Sequence, residues 1–278
     1  MLLQQLIAEY LTVHVGKLKS GPFIASCLRR YTPDDLLSRD LTTLEKRDFA
    51  IVHVDIGKHF KQAANAVLKN WSACLEYAVD ENYLQRNPCR GITPFPAPPR
   101  KRFLSDHEIT RLNEALMSAK PQVRAFIRML LLTACRRDEA RTVQWAHLDL
   151  VNGRWVKPTT KTTAHMTALP PELVADLCAI PRHGGYVFAT ANGKPWDQSW
   201  VHVVWREIRS KAGLDDVHIH DLRRTTATRL DQNGTSLSTI QKILNHRNMK
   251  TTQDYLVGLS VNDAVVEALN ENAKAVGR

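Results

Sequence analysis

The chain has 278 residues, 44% of them apolar, which is enough for a sizeable core in one or two domains. A formal charge of +10 points to a polyanionic partner. The five cysteines are scattered and never form a C-x-x-C pair, which argues against a zinc site and for a reducing, cytoplasmic setting. No apolar run approaches the ~20 residues of a membrane span, and residues 1–11 lack the early basic residues of a signal peptide.

From Met1 to about Thr93 the pattern is helical throughout. Leu2, Leu3, Leu6, Ile7 and Tyr10 repeat at helical spacing, as do Val67, Leu68, Trp71, Leu75 and Ala78. Thr32-Pro33-Asp34-Asp35 reads as a turn or helix start, and Asn87-Pro88 as the stop of the last long helix, because a residue before proline is pushed out of the α region. Residues 94–102 hold four prolines in six positions and then Arg100, Lys101 and Arg102. That composition predicts an extended linker whose basic end is available to phosphate. A second domain, 103–278, opens with a capping box, Ser105 to Glu108. Pro121 suits the first turn of a helix with Val123, Phe126, Ile127, Leu130 and Leu131 as its buried stripe. Leu148 to Val151, a two-residue Asn152-Gly153 turn and Arg154 to Val156 predict a hairpin, with a third strand near Met166 to Leu169. The fold class is therefore mainly α with a small antiparallel sheet, an α+β domain behind an N-terminal all-α one.

The chemistry-bearing residues gather toward the C-terminal half. His220 and Arg223 stand three apart, on one face of a helix. Asn233-Gly234 is a stop signal, Ser238 with Gln241 a capping-box start, and Asn245 a residue that can end that second helix in the left-handed conformation. Thr251 with Asp254 would start a short last helix with Tyr255 in its first turns. Two imidazoles, a guanidinium and a phenol converging on one pocket suit an attack on phosphate. Taken singly, each has a plainer reading: helix-end histidines, a core tyrosine, an exposed turn lysine at Lys161, and Arg136 as the surface partner of Glu139.

Thr133-Ala134-Cys135-Arg136-Arg137-Asp138-Glu139, Thr160-Lys161-Thr162, His220-Asp221-Leu222-Arg223-Arg224-Thr225, Leu244-Asn245-His246 and Tyr255 occur in this order. Together they make the second domain resemble the tyrosine recombinases of the phage-integrase family over essentially its whole length. The first domain, 1–93, is similar to that family's helical core-binding domain, most visibly over Ala66 to Ile92. Two positions depart from the family pattern: Ala134 and Asn245 both stand where glycine is usual.

The resemblance implies a catalytic set of Arg136, Lys161, His220, Arg223, His246 and Tyr255. Tyr255 would be the nucleophile that forms a 3′-phosphotyrosyl link. At pH 7 only about one free phenol in a thousand is ionised, a deficit of ~4 kcal/mol that nearby cations and a proton acceptor must offset. Arg136 and Arg223 can each hold phosphate oxygens through paired hydrogen bonds, and His246 would add a third donor. His220 would serve as base toward the phenol and Lys161 would protonate the leaving 5′ oxygen, an assignment that rests on the resemblance. Glu139 reads as support, and Arg137 and Arg224 as DNA-backbone contacts or surface charges. The scheme calls for no metal and no cofactor, and there is no clustered carboxylate set or phosphate-binding glycine loop to suggest otherwise.

The function so implied is site-specific recombination of double-stranded DNA by an integrase. A homo-tetramer on DNA, possible accessory DNA-bending or directionality proteins, and no membrane partner belong to that expectation. So does a C-terminal helix over Val261 to Ala275 that packs on a neighbour or folds back on its own domain. A chain beginning directly with core-binding helices would either work without arm sites or lack an arm-binding domain. Type IB topoisomerase or telomere-resolvase activity, and a non-catalytic DNA-binding derivative of the fold, are the alternatives.

Overall fold

The computed structural model describes residues 1–98, 100–157, 165–246 and 248–256, and the chain divides into two compact units, Met1–Pro99 and Arg100–Arg278.

The first unit is all helix: α1 (Leu3–Tyr10), continued by a π-helical turn, then α2 (Gly21–Tyr31), α3 (Asp34–Leu37), α4 (Lys46–His59) and α5 (Lys61–Asp80). The periodic apolar positions are the ones that pack. Leu3, Leu6 and Tyr10 of α1 meet Phe49 of α4 and Val67, Trp71 and Leu75 of α5, each large side chain worth ~1.5–3 kcal/mol of burial. Trp71 keeps its indole N–H satisfied by donating to Thr32 Oγ1 at 2.8 Å. The helix expected to run to Asn87-Pro88 stops earlier, at Asp80. Asn82 takes φ 62°, and the amides of Asn82 and Tyr83 turn back onto the Val79 and Ala78 carbonyls, so a left-handed asparagine ends the helix before proline acts.

In the second unit the basic end of the linker is stitched to the protein. Arg100 Nε lies 3.0 Å from Asp221 Oδ2, Arg102 pairs with Asp216 and Glu108, and the Leu104 amide donates to Thr225 Oγ1 at 2.9 Å. The guanidiniums of Arg100 and Arg102 thus have carboxylate partners within this unit. Helix α6 (Asp106–Met117) starts at the predicted capping box, with Ser105 and Glu108 exchanging bonds. Pro121 opens α7 (Pro121–Thr133), which supplies Phe126, Ile127 and Leu130 to a core shared with Phe188 and Trp196. Then come α8 (Arg137–Arg141), β1 (Leu148–Asp149), β2 (Arg154–Lys157) and β3 (His165–Ala168), antiparallel in the order β1-β2-β3. The hairpin turn is wider than the two residues expected. Asp149 pairs with Arg154, so four residues, 150–153, make the turn, and the Asp149 carboxylate holds it by accepting from the Asn152 amide and side chain.

Helices α9 (Pro171–Cys178), α10 (Gln198–Lys211), α11 (Ile219–Gln232), α12 (Leu237–Leu244) and α13 (Met249–Leu256) complete the described residues. Two expected caps fall elsewhere. Ser236, not Ser238, caps α12 by accepting from the Thr239 amide. Asn248 Oδ1 accepts from the Lys250 amide at the start of α13, so that helix begins before Thr251 and Tyr255 sits in its last turn. Among the described residues no helix is long and apolar enough to cross a membrane.

Candidate active site

Two helix ends, both facing α11, build the site. Helix α7 ends at Ala134, which takes φ 51° and ψ 23°, a left-handed turn that costs a residue with a Cβ ~1–2 kcal/mol. The reversal buries Cys135 and delivers Arg136 as the cap of α8. Helix α12 ends the same way. Asn245 adopts φ 49° and ψ 50°, and the amides of Asn245 and His246 return to the Lys242 and Gln241 carbonyls, fixing where His246 leaves the helix. Ala134, Leu244 and Leu256 join Ala227 and Ile240 in a small buried cluster, which locks the two turns against α11 and α13. Both positions where glycine is usual are therefore positions of positive φ. The chain meets the demand with asparagine at one and with a strained alanine at the other.

Helix geometry leaves the last carbonyls of α7 and α12 without intrahelical partners, and the two arginines supply them. Arg223, only 3% exposed on α11, donates to the Ala134 carbonyl at 2.5 Å and to the Leu244 carbonyl at 2.6 Å. The same guanidinium reaches His246 Nε2 at 3.0 Å. Arg136, more open to solvent, donates to the Asn245 carbonyl at 3.2 Å and to Glu139 Oε1 at 2.9 Å. Arg136 and Arg223 thus converge on successive carbonyls at the end of α12, those of Asn245 and Leu244, and Arg223 bonds His246 directly. His220, three residues before Arg223, retains solvent access on the same helix.

The field of this cluster is positive and both imidazoles feel it. Partial burial, then Arg223, Arg136 and His220, hold His246 down to about 4. His220 is lowered by desolvation first, then by Arg223 and Arg224. A guanidinium can only donate, so His246 Nε2 accepts and its proton sits on Nδ1, 3.0 Å from Thr252 Oγ1. Glu139 behaves oppositely. Burial would raise its carboxyl, but Lys157 beside it and bonds from Lys157 and Arg136 bring it to about 2.

The expected set divides accordingly. Arg136, His220, Arg223 and His246 come together, and the Tyr255 backbone lies on α13, which packs on α11 and α12. The Tyr255 side chain and Lys161 lie outside the described residues, as does the stretch from Val261 to Ala275. Arg137 donates to His202 at 3.1 Å. Sequence reading missed Thr252, fully buried against His246, and Lys157, whose ammonium meets Glu139 at 2.9 Å. Strand alternation was the one available signal for Lys157, since it places the side chain on the inward face with Trp155. Nothing in the local pattern marks Thr252. Among the described residues no group of three or more His, Cys, Asp or Glu side chains is placed to hold a metal ion.

The sequence profile of the phage integrase family matches residues 102–258. A tyrosine recombinase XerC-like protein of Caldanaerobacter subterraneus subsp. tengcongensis is 26% identical over 239 residues, covering 69% of this chain and 60% of that protein. The XerC recombinase of Lactobacillus delbrueckii subsp. bulgaricus is 26% identical over 168 residues, 55% of this chain and 57% of that one. The chain therefore spans less than two thirds of the length of these relatives. The integrase of ICEBs1 from Bacillus subtilis is 21% identical over 266 residues, 82% of this chain and 70% of that protein. Among solved structures, the Tn1549 transposon integrase in complex with a circular intermediate DNA superposes with a TM-score of 0.80 at 17% identity, covering 97% of this chain and 99% of that one. A lambda integrase dimer bound to a core site gives 0.74 at 16% identity over 94% and 98% of the two chains. At such identities these superpositions establish a shared fold.

Proposed function

The chain belongs to the phage integrase family, and on that premise we propose that it is a site-specific DNA recombinase that cleaves and rejoins double-stranded DNA through a 3′-phosphotyrosyl intermediate. The observation that carries this reading is the convergence of Arg136 and the bonded pair Arg223–His246 on the end of α12, with the helix bearing Tyr255 packed beside it.

The Tyr255 oxygen attacks the scissile phosphorus, the bond to the 5′ oxygen breaks, and protein becomes linked to the 3′ phosphate. His220, kept neutral by its surroundings, takes the phenolic proton and returns it when the 5′ hydroxyl attacks the link. Arg136 and Arg223 stabilise the charge that builds on the non-bridging oxygens, each worth ~3–4 kcal/mol by analogy with oxyanion donors. His246 enters the reaction as the Nδ1–H tautomer, so donating from Nε2 requires it to gain a proton. An incoming phosphodiester supplies the negative charge that favours this. Lys161 protonates the leaving 5′ oxygen. Bond energy is retained in the phosphotyrosyl link, so neither ATP nor metal is needed for exchange. In this reading four protomers pair two sites on duplex DNA, and DNA-bending or directionality proteins assist.

Protein mixed with fragmented genomic DNA in EDTA, then denatured, yields covalent junctions whose sequencing gives the target site. A suicide duplex bearing that site should trap wild type covalently, while Tyr255→Phe binds but dissociates. Equal behaviour of the two proteins would refute the reading, and relaxation of plasmids lacking any captured site would replace it with topoisomerase activity.

A further inference from the structure

Strand alternation turns Trp155 and Lys157 of β2 toward the protein interior, and an inward lysine needs a reason. Lys157 is 7% exposed, its Nζ lies 4.2 Å from the centre of the Trp155 ring, and it is 2.9 Å from Glu139 Oε2. The other oxygen of that carboxylate holds the Arg136 guanidinium at 2.9 Å, and Oε2 also accepts from the Arg136 amide at 3.2 Å. Lys157 and Arg136 therefore grip one carboxylate from opposite sides.

We propose that Lys157 is a positioning residue for the phosphate-binding arginine: it pins Glu139 so that Glu139 aims Arg136. The proposal rests on the recombinase reading and deepens it. Two physical effects follow from the geometry. The ammonium fixes the rotamer of Glu139, which in turn limits the swing of a guanidinium otherwise open to solvent on one side. It also offsets the carboxylate charge, so Glu139 orients Arg136 without cancelling the positive field that a phosphate needs. Glu139 stays ionised far into acid, with its carboxyl near 2, so the grip persists across the working pH range. Lys157 is committed to that carboxylate and so is placed to orient, not to transfer a proton.

The test uses the full chain and a nicked suicide duplex carrying its target site at saturating protein. Lys157→Met should slow covalent capture by up to about 100-fold, the loss expected when a catalytic group is displaced by ~1 Å. Dissociable binding, measured in the Tyr255→Phe background, should stay unchanged, and Lys157→Arg should recover most of the rate. In an Arg136→Lys background, Lys157→Met should add nothing, because its effect passes through Arg136. An equal further loss there, a fall in binding that matches the fall in rate, or wild-type rates in Lys157→Met would each overturn the proposal. Should Lys157→Met fail to fold, the pair Glu139→Gln/Lys157→Met removes both charges together. A wild-type rate in that pair would overturn it as well. If wild type itself captures no DNA, the recombinase reading fails, and positioning is then judged from the Arg136 side-chain Nε–H resonance. That resonance should shift and lose exchange protection in Lys157→Met, and an unmoved one refutes the role.

Discussion

Acidification should unfold this protein partly through one imidazole. His246 has a folded-state value of about 4, against 6.5 for a free histidine, because burial and then the two arginines disfavour its charged form. A depressed value means the fold prefers the neutral ring. The associated stability is fully present above pH 6.5 and is lost as pH falls through the window down to about 4. At ~1.36 kcal/mol per unit the gap has a ceiling of roughly 3 kcal/mol. The ring is only partly buried, so solvent screening reduces this to ~1–2 kcal/mol. Urea unfolding of wild type and His246→Asn at several pH values isolates the contribution, because His220 and the carboxylates titrate in both. Below pH 6.5 wild type should lose ~1–2 kcal/mol more than the variant. Parallel curves, or an imidazole resonance titrating near 6.5, would refute the picture of His246 as the acceptor of the Arg223 bond. Adding cognate DNA should move the resonance the other way, toward a higher value.

Arg223→Lys replaces a fork that binds two helix-end carbonyls with a single ammonium, and should cost ~2 kcal/mol or more in urea unfolding as well as slowing covalent capture. Ala134→Gly relieves ~1–2 kcal/mol of left-handed strain but forfeits ~0.8 kcal/mol of methyl burial and adds unfolded-state freedom, so its midpoint should stay within ~1 kcal/mol of wild type. Ala134→Val, with a branched side chain at positive φ, should be strongly destabilised by the same measurement. Ser105→Ala removes the cap of α6 and should cost ~1 kcal/mol with no change in the rate of capture.

His220 and Arg223 were legible because their spacing is a property of helices, whereas Arg136 and His246 stood out through the family motifs. His220 and Arg223 stand three positions apart, and that alone puts them on one face of α11. The buried stripes of α1, α5 and α7 were legible for the same reason. Helix ends were harder. Ser236 and Ser238 are chemically equal as caps, and only the path of the chain selects Ser236. Asn82 ended α5 through a left-handed turn that a nearby proline masked in the pattern. Strand alternation marked only the inward direction of Lys157, because the carboxylate that justifies its burial lies eighteen residues away in sequence, on another element. Thr252 reads as one polar helix residue among several until His246 Nδ1 is seen beside it.

The pairing of Arg100 with Asp221 fixes where the second unit begins. The first residue of that unit is therefore anchored on α11. The Asp221 carboxylate is adjacent in sequence to His220 and also accepts from the His218 amide, so one side chain both starts α11 and holds the first residue of the unit.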